Sequence, residues 1–89
     1  MARDTLTSRL IAVIAGFPNV SRVYVEHTVS GHGKRRVKIV QNEPGCVRFV
    51  ISEPDNPRRT VRADTTHNVQ IALQAEQFLR KEKIEILRV

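Results

Sequence analysis

VSRVYVEHTVSGHGKRRVKIVQNEPGCVRFVISEPDNPRRTVR, residues 20–62, is the stretch whose reading decides the fold. From Ser21 the apolar residues recur at every second position. Val23 and Val25, and less cleanly His27 and Val29, point one way, while Arg22, Tyr24, Glu26 and Thr28 point the other, which is the period of a half-buried strand. Ser30-Gly31-His32-Gly33 reads as a glycine-rich turn, after which Val37 and Ile39 face inward and Arg36, Lys38 and Val40 outward. The first two strands are therefore expected to form a hairpin. Glu43-Pro44-Gly45 places Pro and Gly where the two central positions of a type II turn want them. In the third strand Val47, Phe49 and Ile51 alternate against Cys46, Arg48, Val50 and Ser52. Pro54-Asp55-Asn56-Pro57 is another break, and a shorter fourth strand over 58–63 turns Val61 and Ala63 inward.

The flanks supply the layer that this sheet needs. Leu6, Leu10, Val13, Ile14 and Phe17, with Ile11 beside them, line one face of a helix of about three turns. Asp4 or Thr5 can cap it, Gly16 and Pro18 stop it, and Arg3 and Arg9 are its solvated residues. A second helix is expected to start at one of residues 64–66, any of which can cap it, and to run to about residue 81. Val69, Ile71, Ala72, Leu73, Ala75, Phe78 and Leu79 give it a broad apolar arc. Ile84, Ile86, Leu87 and Val89 read as a fifth strand. The expected order is α-β-β-β-β-α-β. The expected fold class is α+β: a two-layer sandwich in which an antiparallel meander of four to five strands carries both helices on one face. The last strand is expected beside the first, antiparallel, or beside the fourth, parallel; the sequence leaves both open.

The 89 residues are expected to form one domain over 1–89, and 40% hydrophobic with 27% charged residues is an ordinary globular balance. A single cysteine, Cys46, closes no disulfide within the chain, which points to a reducing compartment and a cytoplasmic location. Residues 1–8 lack the apolar core of a signal peptide, and the longest apolar run, 10–15, is far too short to span a bilayer, so no membrane partner is expected. The formal net charge is +6, and residues 34–62 hold eight basic side chains against three acidic ones. A local excess of this kind attracts polyanions or an acidic protein surface.

The alternation aims Arg22, Tyr24, Arg36, Lys38, Arg48 and Arg62, together with Arg58 of the fourth strand, at the open face of the sheet, with Lys34 and Arg35 at the hairpin as auxiliaries. Same-face residues stand about 7 Å apart along a strand and adjacent strands about 4.8 Å apart, comparable to successive phosphates. Like charges at such spacings repel unless Glu26, alkyl packing or a ligand offsets them. The functional reading is a platform on which arginines fork onto phosphates and Tyr24 stacks on an exposed base. The plain alternative is a solvated face whose long basic side chains cover apolar surface. Gly31-His32-Gly33-Lys34-Arg35-Arg36 can also present amides to a phosphate, although it lacks the spacing of a Walker loop.

The order α-β-β-β-α with a basic first hairpin superficially resembles double-stranded-RNA-binding domains. The chain is not assigned to that family, because Asp64-Thr65-Thr66-His67-Asn68, where the family's basic cluster would fall, contains no lysine and the extra strands depart from its pattern. Catalysis is not expected. Cys46, His27, His32 and His67 are scattered singly, without metal-ligand spacing, and Glu43, Glu53 and Asp55 sit in turns. No cofactor or metal is implied. The leading expectation is a non-enzymatic module that binds nucleic acid or another polyanion. The alternatives are a protein-binding inhibitor or adaptor, of the kind carried by phages and mobile elements, and a homodimer through an edge strand.

Overall fold

Valine, isoleucine and phenylalanine at every second position of a strand can be buried only beneath a second layer, and helices with one apolar stripe supply it. A computed structural model of the chain describes residues 5–31 and 33–89, so Arg3, the alternative cap Asp4 and the turn residue His32 lie outside the described residues. Among the described residues the order is α1 (Leu6–Ala15), β1 (Arg22–Val29), β2 (Arg36–Val40), β3 (Cys46–Glu53), β4 (Asn56–Asp64), α2 (Asn68–Lys81) and β5 (Glu85–Arg88). Leu6, Leu10 and Ile14 of α1 and Ile71, Ala72, Ala75 and Leu79 of α2 pack on Val37, Ile39, Val47, Phe49, Ile51, Val61 and Ala63 of the sheet. Each of the larger of these side chains contributes about 1.5–3 kcal/mol by leaving water. Thr5 caps α1 by accepting a hydrogen bond from the Ser8 amide at 3.1 Å.

The α+β class and the two helices agree with the sequence reading, but the sheet is mixed and is no simple meander. Its strand order is β1-β4-β3-β2-β5. Only β2, β3 and β4 follow one another as antiparallel neighbours, and β1 pairs with β4 instead of forming the expected hairpin with β2. The reason lies in the connections. The β3–β4 turn is just Pro54-Asp55, and Gly45, at φ 87°, lets the chain reverse between β2 and β3. The link between β1 and β2 is six residues long, 30–35, enough to cross the end of the tight β3–β4 hairpin. The four strands thus form a Greek key. β5 takes neither expected place: it lies beside β2, parallel to it, because α2 carries the chain back across the face of the sheet.

Two further boundaries differ from the sequence reading. β4, expected to be short, is the longest strand at nine residues, because Pro57 falls where the β3–β4 register slips and its missing N–H breaks no ladder. α2 begins at Asn68, not at residues 64–66: Asp64 ends β4, and the buried Thr65 hydroxyl accepts from the His67 amide at 2.9 Å. Val69 and Leu73 remain exposed, so the apolar arc of α2 is narrower than the sequence suggested.

The C-terminal end of α2 closes by a Schellman arrangement, in which the Lys83 amide donates to the Arg80 carbonyl at 3.0 Å and the Ile84 amide to that of Leu79 at 3.0 Å. Lys83 occupies the left-handed position that glycine favours, at φ 57°. Lys83→Gly is therefore expected to raise stability by about 1 kcal/mol, measured by urea denaturation, the relief of left-handed strain exceeding the added chain entropy. A destabilised variant would mean that Lys83 holds the turn by its side chain.

Candidate nucleic-acid interface

Register determines which side chains stand together on the face away from the helices. Tyr24 pairs with Arg62 and Arg62 with Arg48, so the three form one row across β1, β4 and β3. A second row runs Lys38, Val50, Thr60 and His27, flanked on β5 by Leu87. In a third, Glu85, Arg36 and Ser52 follow one another, and Arg58 stands opposite Val29. Arg22, Tyr24, Arg36, Lys38, Arg48, Arg58 and Arg62 thus share the open face, as the alternation implied. His27 and Val29, expected to face inward, share it too. The cause is a bulge between Val25 and His27, which adds one residue to β1 and inverts the phase beyond it.

The extra residue, Glu26, settles the electrostatics of one half of the face. Arg48 and Arg62 are directly opposed like charges, a destabilising pair on its own. Arg48 forks onto Glu26, with Nε 2.8 Å from Oε1 and Nη2 3.3 Å from Oε2, and its Nη1 reaches Glu43. Arg62 donates through Nε to Asp64 Oδ1 at 2.7 Å and stands 3.6 Å from Glu26 Oε2. Arg22 donates to Asp64 Oδ2 at 3.2 Å while its guanidinium lies 4.5 Å from the centre of the Tyr24 ring. Three arginines are matched there by Glu26, Glu43 and Asp64. Hydrogen bonds from Arg48 hold the Glu26 carboxyl below its ordinary range, and those from Arg62 do the same for Asp64. Glu26, then Glu43, push the Arg48 guanidinium further up.

The other half is not matched. Arg36 donates to Glu85 at 2.7 Å, whereas Lys38, Arg58 and the loop residues Lys34 and Arg35 have no ion-pair partner among the described residues. Lys34, Arg36, Lys38 and Arg58 surround two adjoining shallow depressions. One, of about 230 Å³, is lined by Arg36, Lys38, Val50, Ser52, Arg58 and Leu87. The other, of about 120 Å³, shares Arg36, Ser52 and Arg58 and adds Gly33 and Lys34. A larger hollow of about 360 Å³ beside Gly45 and Thr65 carries one charged residue, Asp64, which is already ion-paired.

Sequence reasoning passed over Ser52, Val50 and Leu87 as parts of a site. The signal for Ser52 was the tight Pro54-Asp55 turn, which sets it across from the start of β4; nothing in the sequence brings Leu87 beside Lys38, since that pairing depends on where β5 docks. Cys46 is buried opposite Asp64 in the β3–β4 register, and its carbonyl accepts from the Asn68 amide side chain at 2.8 Å. Among the described residues no three of His, Cys, Asp or Glu gather where they would hold a metal ion, and no helix is long and apolar enough to cross a membrane. No protein-family model, curated protein or solved structure matches the chain.

The depressed carboxyl pKa values tie the network to pH. A group whose pKa is lowered by folding stabilises the fold above the range where free carboxylates titrate, and that contribution is lost as pH falls through and below this range. Glu26→Gln is expected to be less stable than the parent at neutral pH, with the difference narrowing on acidification, as read by urea denaturation at each pH. A difference that stays constant or widens in acid would show that Glu26 does not act through its charge.

Proposed function

We propose that the chain is a non-enzymatic binding module that engages nucleic acid through the unmatched half of its open sheet face. Arg36, Lys38 and Arg58 are the contacts on the sheet, with Lys34 and Arg35 from the preceding loop. The observation that carries this reading is the clustering of Lys34, Arg36, Lys38 and Arg58 around Ser52, with Glu85 paired to Arg36 among them. Like charges brought this close repel, and a polyanion relieves the repulsion while releasing its own counterions. Arg22, Arg48, Arg62 and Tyr24 act in this reading as a frame: their charges and the ring face are taken up within the protein, and they keep the strands in register beneath the contacts.

Fluorescence anisotropy with labelled oligonucleotides across a salt series tests this. Four or five engaged cations give a slope of log affinity against log salt of about −3 to −4. Lys38→Glu combined with Arg58→Glu is expected to abolish binding, whereas Glu85→Gln, which releases Arg36, tightens it severalfold and Arg22→Gln changes it little. Retained binding in the double variant would remove this site. A salt-tolerant, stoichiometric complex with an acidic protein, without nucleic-acid binding, would favour the inhibitor or adaptor reading instead.

A further inference from the structure

We infer that the ligand of this face is single-stranded, with one unstacked nucleotide seated in the larger depression; the inference rests on the nucleic-acid reading above. The rim and the floor of that depression differ in chemistry. Arg36 and Arg58 flank the Ser52 hydroxyl, a set of donors suited to one phosphate. Beside them the floor is apolar. Leu87 is 44% exposed and stands next to Lys38 on β5, and Val50 stands next to Lys38 on β3, so the lysine stem completes a continuous aliphatic strip between them. Val29, 55% exposed, extends apolar surface beyond Arg58 on β1.

A duplex has no use for such a floor. Its bases are stacked inside, and it offers a flat protein surface chiefly phosphates and sugars. An apolar strip held within a cationic rim would then face hydrated phosphate and sugar and contribute nothing to binding. A single strand presents both chemistries at the required spacing: a phosphate for Arg36, Ser52 and Arg58, and the π face of the adjoining base for Leu87, the Lys38 stem and Val50. The depression of about 230 Å³ brings the two chemistries together on one patch. The floor beneath the base is aliphatic, and Arg36, Ser52 and Arg58 are engaged with phosphate in this arrangement, so binding is expected to be tolerant of sequence.

The test is fluorescence anisotropy at low salt with an oligothymidylate of about twelve nucleotides and with a duplex of the same strand length. Electrostatics alone favours the duplex, whose charge density is higher. The expected result is the reverse, with the single strand bound at least about tenfold more tightly. Leu87→Ser is expected to weaken single-strand binding about fivefold and to narrow the ratio, while Val69→Ser, at a 58% exposed position on α2, changes neither affinity. Far-UV circular dichroism and thermal melting establish that each variant is folded. Equal or tighter duplex binding, or no effect of Leu87→Ser in a folded variant, overturns the inference and leaves the polyanion reading standing. Absence of binding to either probe overturns both.

Discussion

β4 is paired along both edges, with β3 on one side and β1 on the other, and its two-residue side-chain period is the constraint on which the rest of the molecule depends. Val61 and Ala63 have to lie beneath the helices, which fixes the register of both neighbours to within one residue, since a slip of one would bring Arg62 into the core. Once that register holds, Arg62 stands between Arg48 and Tyr24 on the other face, and Arg58 comes beside Ser52 at the far end. The core and the charged face are two consequences of one pairing.

That pairing would be unfavourable if Arg48 and Arg62 faced each other alone. The bulge in β1 adds Glu26 at this point, and one carboxylate serves both guanidinium groups while Glu43 takes a further donor of Arg48 and Asp64 one of Arg62. The result is a face divided into a half whose guanidinium groups are paired with carboxylates and a half that keeps its charge. Ion pairs between partly exposed groups add little to stability singly, but a network held by a fork and a shared carboxylate restricts where the side chains point. Elsewhere the same device ties layers together: Glu76 of α2 accepts from Arg80 at 2.7 Å and from Arg88 of β5 at 2.8 Å, and its carboxyl is held below its ordinary range by both.

The candidate site was only partly legible in the sequence. Period two sufficed to place Arg36, Lys38, Arg48 and Arg62 on one face, because alternation is a property of the strand itself. It could not reveal that Arg48 is consumed by Glu26, 22 positions earlier, or that Lys38 keeps its charge. Whether a cation is satisfied depends on which carboxylate the sheet brings across from it. Likewise Tyr24 was legible as an exposed aromatic, but not as a ring already covered by Arg22.

By itself the sequence determined the number and order of the elements, the inward residues of β2, β3 and β4 and the local excess of positive charge, all of which follow from spacing and composition along the chain. The tertiary structure alone decided the Greek-key order, the parallel seat of β5 on β2 and the bulge that turned His27 and Val29 outward. It also decided the division of the charged face. These depend on how far a loop of six residues reaches, where a helix returns the chain and which residues meet across strands. Such relations are energies between positions distant in sequence, and no local period encodes them.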